Sequence, residues 1–189
     1  MLIGDTFKAW VQFNRIVHIR GRLGGGKTLL AVAIADWMLR EGIVDQVWTN
    51  FPCQLTRPVR TLHNTCIILD EAWQWLDWRV THKNESHSYA AFLRKINAFL
   101  LLPSVRSLVG EVSDLKVYRF LDLTHIGVPM WIYRARWVLD KDDVETTYAF
   151  LWNPSKYFGL YDTSFIPSDD GNIPRLLKET IDAQRKGKI

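Results

Sequence analysis

Cysteine is scarce in this 189-residue sequence: there are two, Cys53 and Cys66, with no CxxC spacing and no Cys/His pairing. That excludes a disulfide scaffold and a thiolate zinc site, and it fits a reducing compartment in which both thiols are packing residues. Long apolar runs are also missing. The most apolar internal stretch, "AFLLLPSV", falls far short of a membrane span. The opening "MLIGDTFKAWVQF" has neither the charged leader nor the extended apolar core of a signal peptide, so a soluble protein is expected. Repeats and low-complexity segments are lacking, which argues against a solenoid or a long linker. The formal net charge of +4 permits an anionic partner without specifying one.

With 48% hydrophobic residues, a chain of this length can bury the core of one domain. Nine tryptophans fit packing better than stacking platforms. Apolar runs set against breakers predict strands at 16–19, 46–49, 66–69 and 98–102, and a helix at about 28–40 stopped by Gly42. "SYAAFLRKIN" reads as a short helix after a polar loop. Strands alternating with a crossover helix imply a parallel sheet. Further on the pattern changes. "LKVYRFLDL" alternates like a strand, and "MWIYRARWVL" and "VETTYAFLW" flank "DKDD" as an antiparallel hairpin pairing aromatics with Arg134 and Arg136. The expected layout is one α/β domain over 1–189: a nucleotide-binding core over about 14–125, a hairpin extension over about 126–166, and a basic helix or tail over 167–189.

Two motifs carry chemistry. "GRLGGGKT", residues 21–28, satisfies G-x-x-x-x-G-K-[ST] between an apolar strand and a helix. Backbone N–H groups of Gly21, Gly24, Gly25, Gly26 and Leu29 are expected to surround the phosphates of ATP. Lys27 would reach the β and γ phosphates, and the Thr28 hydroxyl would ligate Mg²⁺. "TCIILDEAW" is an apolar strand ending in Asp70 and Glu71 and resembles a Walker B box. Asp70 is the expected holder of Mg²⁺ through water, and Glu71 the base that polarises the water attacking the γ-phosphate.

Four stretches, "GRLGGGKTLLAVAIA", "VWTNFP", "CIILDEAWQWLD" and "FLRKINAFLLLPSVRS", together with "LYDTSF", resemble the ASCE division of P-loop ATPases. The similarity is to its zonula occludens toxin-like branch, related to the FtsK and HerA DNA translocases and to viral genome-packaging ATPases. The resemblance implies a three-layer P-loop NTPase fold with a mostly parallel sheet and an extra strand between the two motif strands. It also implies a homo-oligomeric ring that hydrolyses ATP to move double-stranded or single-stranded DNA without sequence preference. In such proteins the strand after Walker B ends in a polar sensor, here Ser104, and a neighbouring subunit supplies an arginine. Arg106 and then Arg94, which flank that strand, are the expected fingers, ahead of Arg79 and Arg119.

Filamentous-phage members of this branch carry a membrane span after the ATPase domain, whereas this chain ends in "DAQRKGKI". The resemblance therefore favours a phage genome-packaging motor in the host cytoplasm, docked on a capsid portal, over an extrusion ATPase anchored at the inner membrane by a partner. A nucleotide-switch assembly protein and a small P-loop kinase are the competing readings. The kinase lacks an Arg-rich lid here, and a partition ATPase would carry lysine where Arg22 stands. Trp73, Trp75 and Trp78 are expected to pack. His82 and His87, five residues apart, share no helix face and predict no metal site. Arg185, Lys186 and Lys188 at the tail, and Lys83, Arg134 and Arg136 along a pore, are candidate DNA-phosphate contacts.

Overall fold

The apolar runs "TCII" and "FLLLPS" become neighbouring parallel strands, β4 (Thr65–Ile68) and β5 (Phe99–Ser104), in which every residue is buried. Central parallel strands are covered on both faces and so read as continuous hydrophobic sequence. In this computed structural model, residues 1–56, 61–71, 93–104, 115–140 and 143–162 are described. Around the central pair lie β2 (Ile16–Arg20), β3 (Gln46–Thr49), β6 (Leu115–Asp122), β7 (Met130–Asp140), β8 (Asp143–Trp152) and β1 (Leu2–Ile3). They form one 8-stranded sheet in the order β1-β8-β7-β6-β2-β5-β4-β3. The run β6-β2-β5-β4-β3 is parallel, and β7, β8 and β1 continue it antiparallel. The architecture is a mixed α/β fold on a mostly parallel sheet. The strand of residues 99–104 lies between the strand that enters the glycine loop and the strand that leads to Asp70.

Helix α2 (Lys27–Arg40) follows the glycine loop and is buried nearly all round, from Leu29 through Ala35 without a break. Such a helix needs cover on two sides. The sheet supplies one side; the short 3₁₀ turn at Pro154–Tyr157 supplies the other. There Tyr157 is fully buried and donates from its hydroxyl to Asp36, 3.1 Å away, while Arg40 bonds the same carboxylate at 2.5 Å.

Helix α1 (Asp5–Asn14), which the sequence reading leaves unassigned, buries Phe7, Trp10, Val11 and Asn14, the spacing of one helix face. Its Trp10 and Phe13 meet Trp137 of β7, with ring centroids 5.5 and 5.2 Å apart. Helices α1 and α2 pack on one face of the sheet, against Val17, Ile19, Ile68, Phe99, Leu101 and Val117. On the opposite face Ile16, Ile67, Leu100 and Leu102 are buried as well.

The strands and the first helix expected from sequence all form, with boundaries shifted by a few residues. Of the helix expected in "SYAAFLRKIN", only 93–97 is described, and it is helical at 93–95. Arg79, Arg106, the tryptophans at 73, 75 and 78, His82, Lys83, His87 and the tail at 167–189 lie outside the described residues. Among the described residues no helix is long and apolar enough to cross a membrane.

Leu101 is fully buried at the centre of β5. Leu101→Ala is expected to lower unfolding free energy by about 2–5 kcal/mol, read as a shift in the urea midpoint at unchanged slope.

Candidate functional site

All the parallel strands present their C-terminal ends on one side, and there the two motifs meet. The chain leaves β2 at Arg20, turns through Gly21–Gly26 and enters α2 at Lys27. The turn closes with Gly25 N–H donating to the Arg22 carbonyl at 3.0 Å. That carbonyl also accepts from Lys27 Nζ at 3.1 Å, so the ammonium curls over the loop from a residue only 7% exposed. Leu30 is the first residue to bond back within the helix, to the Gly26 carbonyl at 3.0 Å. The N–H groups of Lys27, Thr28 and Leu29 therefore have no intrahelical acceptor, and the positive end of the helix dipole adds to them. The Leu29 side chain itself is in the core, so only its backbone can serve a ligand.

Thr28 Oγ1 donates to Asp70 Oδ2 at 2.9 Å, joining residues 42 apart in sequence. Asp70 is held at both backbone atoms by one side chain: Asn50 Nδ2 donates to its carbonyl at 2.9 Å, and its N–H donates to Asn50 Oδ1 at 2.8 Å. Asn50 thus acts as a further rung between the ends of β3 and β4. The Glu71 N–H bonds both Asp70 Oδ1 and the Pro103 carbonyl, each at 3.0 Å. Glu71 sits in the left-handed region, with φ 49°, a conformation that a non-glycine residue holds only when its surroundings enforce it. Ser104, fully buried, follows the carbonyl that Glu71 uses.

Burial pushes the Asp70 carboxyl above the usual carboxylate range; the Thr28 hydroxyl pulls it back, and the neighbouring Glu71 raises it further. A cation beside Asp70 favours its ionised form. Thr28 and Asp70 are hard oxygen donors, and no group of three or more His, Cys, Asp or Glu side chains forms a metal cage among the described residues. Two protein oxygens that leave the other positions to phosphate and water fit Mg²⁺, which binds in this way in phosphate-handling sites.

The loop is braced from behind by residues the sequence reading did not assign to it. Tyr133 donates from its hydroxyl to the Gly26 carbonyl at 3.2 Å, and the ring of Trp131 lies against Gly26. Arg119 stacks over that ring, 4.6 Å from its centroid, and pairs with Asp122 at 3.4 Å. The segment after the 3₁₀ turn closes the other flank. Gln54 N–H bonds the Leu160 carbonyl at 2.8 Å, and Asp162 N–H bonds the Pro52 carbonyl at 3.2 Å. Burial first, then the charge of Asp70, pushes the Tyr161 hydroxyl to about 12.

Of the expected site residues, Gly21, Gly24, Gly25, Gly26, Lys27, Thr28, Leu29, Asp70, Glu71 and Ser104 come together at this end of the sheet. Arg94 does not: it is exposed before the N-terminal end of β5, with its guanidinium 5.5 Å from the Phe13 ring. Asn50 lies within "VWTNFP", but only the geometry gives it a task. Trp131 and Tyr133 carried no signal beyond their place in an alternating strand. No protein-family model matches this chain, and no curated protein matches it.

Gly24 and Gly26 share φ 70°, yet a Cβ on Gly24 meets nothing, whereas one on Gly26 falls 2.4 Å from a Trp131 ring carbon. Gly24→Ala should cost about 1 kcal/mol of backbone strain, and Gly26→Ala more than about 2 kcal/mol, measured by chemical denaturation. Because the folded state holds the Asp70 proton more tightly than the unfolded chain does, ionised Asp70 lowers stability at neutral pH. Asp70→Asn is expected to raise the thermal midpoint of the nucleotide-free protein at pH 7.

Proposed function

We propose that this chain is an ATPase of the P-loop type that couples hydrolysis to DNA movement as one subunit of a homo-oligomeric ring, in the manner of a phage genome-packaging motor. The observation that carries the reading is the Thr28–Asp70 hydrogen bond at 2.9 Å, which unites a glycine loop, a helix N-terminus and a strand-end carboxylate. The strand between the two motif strands supports the ASCE assignment. The DNA and ring assignments rest on the resemblance of the motifs.

In this reading the free N–H groups at the start of α2 and the Lys27 ammonium bind the triphosphate, with Lys27 exchanging the Arg22 carbonyl for phosphate oxygen. Thr28 and Asp70 would hold Mg²⁺, which supplies charge neutralisation between the phosphates when bound. Glu71 takes the proton from water as the water oxygen bonds to the γ-phosphorus and the bond to the β–γ bridging oxygen breaks, giving ADP and phosphate. The double anchoring of its N–H fixes where that carboxylate starts. Ser104 is the proposed sensor, and an arginine from a neighbouring subunit the proposed finger.

Phosphate release from ATP and Mg²⁺ tests this. Wild-type protein is expected to turn over faster with DNA than without. Lys27→Ala should lose binding and turnover together, and Glu71→Gln should keep ATP binding while turnover falls at least about 100-fold. Normal turnover in Glu71→Gln refutes the assigned base.

A further inference from the structure

The face of the sheet opposite α1 and α2 changes character beyond β2. Register places Arg20 beside Tyr118, Lys116 opposite Arg136, Tyr118 opposite Arg134, and Arg134 opposite Tyr148. These positions hold four cations and no carboxylate. Lys116 and Arg136 are directly cross-strand, an arrangement that is unfavourable between like charges. It becomes favourable when an anion lies between them.

The same face carries a cavity of about 590 Å³ lined by Arg20, Gly21, Arg22, Lys116, Tyr118, Arg136 and Val138. Next to it stand exposed aromatics. Phe120 is 53% and Tyr148 39% exposed, their ring centroids 5.7 Å apart, and the Arg134 guanidinium lies over the rings of both Tyr118 and Phe120. Cations that neutralise phosphates beside exposed rings that take up bases are the two components of a single-strand platform. A duplex, whose bases are paired and stacked inside, uses only the first component.

We propose that this face, from the Arg20–Arg136 cavity to the Phe120–Tyr148 pair, binds single-stranded DNA. Strand spacing spreads it over roughly 15 Å from β2 to β8, the span of a few nucleotides. The choice of DNA rests on the function proposed above; the charge and ring geometry stand without it. The cavity also places the strand against the nucleotide loop, because Gly21 and Arg22 form its wall and the Arg22 carbonyl is the atom Lys27 holds.

Fluorescence anisotropy with a labelled 20-mer of deoxythymidine, in the absence of nucleotide, tests the surface separately from the ATPase. The wild-type protein is expected to bind it at least tenfold more tightly than a duplex of equal length, and no less tightly than the matching RNA. The salt slope should be about −2 to −3 for three to four neutralised phosphates. Lys116→Glu with Arg136→Glu should weaken binding at least tenfold and flatten that slope. Phe120→Ala with Tyr148→Ala should weaken it about tenfold while leaving the slope in place, with the circular dichroism spectrum and ATP turnover without DNA kept as controls of folding. Equal or tighter binding of duplex, tighter binding of RNA, or wild-type affinity in either double variant overturns the proposal. Strand binding without any ATP turnover would leave this surface standing and remove the motor reading instead.

Discussion

The contact between Thr28 and Asp70 is the constraint around which the rest is arranged. A hydroxyl at the first turn of one helix and a carboxylate past the end of a strand must meet within 2.9 Å, and neither residue sets that distance. It is set by β5, which separates β2 from β4, and by α2 lying against all three strands. Every residue of β4 and β5 is buried, so a shift of either strand would open voids that close-packed interiors do not tolerate. Apolar packing thus holds the polar site at its spacing.

The antiparallel end of the sheet has a part in the same construction. Trp131 and Tyr133 of β7 reach the back of the glycine loop, so strands that look like an appendage in sequence support that turn. The loop is therefore held from within, by the Gly25–Arg22 and Lys27–Arg22 bonds, and from β7, by the Gly26–Tyr133 bond. Loss of the Lys27–Arg22 bond to a bound anion would leave the Gly26–Tyr133 bond in place.

Much of this was legible in the sequence because the informative residues lie close together. The glycine loop sits between a strand and a helix, and the buried strands are uninterrupted apolar runs. Helix α1 was legible in principle: Phe7, Trp10, Val11 and Asn14 mark one face, but a length of ten residues beside a short edge strand gives a weak periodic signal. The bracing of Gly26 by Trp131 and Tyr133, more than a hundred residues away, depends on sheet order, which no local pattern encodes. Asn50 is similar; its amide completes a ladder between two strand ends, and nothing local in "VWTNFP" gives it that task. Arg94 stands near the motif strand in sequence, and in space it lies before the N-terminal end of that strand, against the Phe13 ring, away from the site of its own chain.

The central claim, that Thr28 and Asp70 together form a magnesium-dependent nucleotide site, is tested most directly by calorimetric titration of ATP into the wild-type protein with Mg²⁺ and with chelator, alongside Thr28→Ala. The account predicts tight binding that needs Mg²⁺ and a Mg²⁺ dependence that disappears in Thr28→Ala. Binding indifferent to Mg²⁺, or a Thr28→Ala variant that keeps the full dependence, would contradict it.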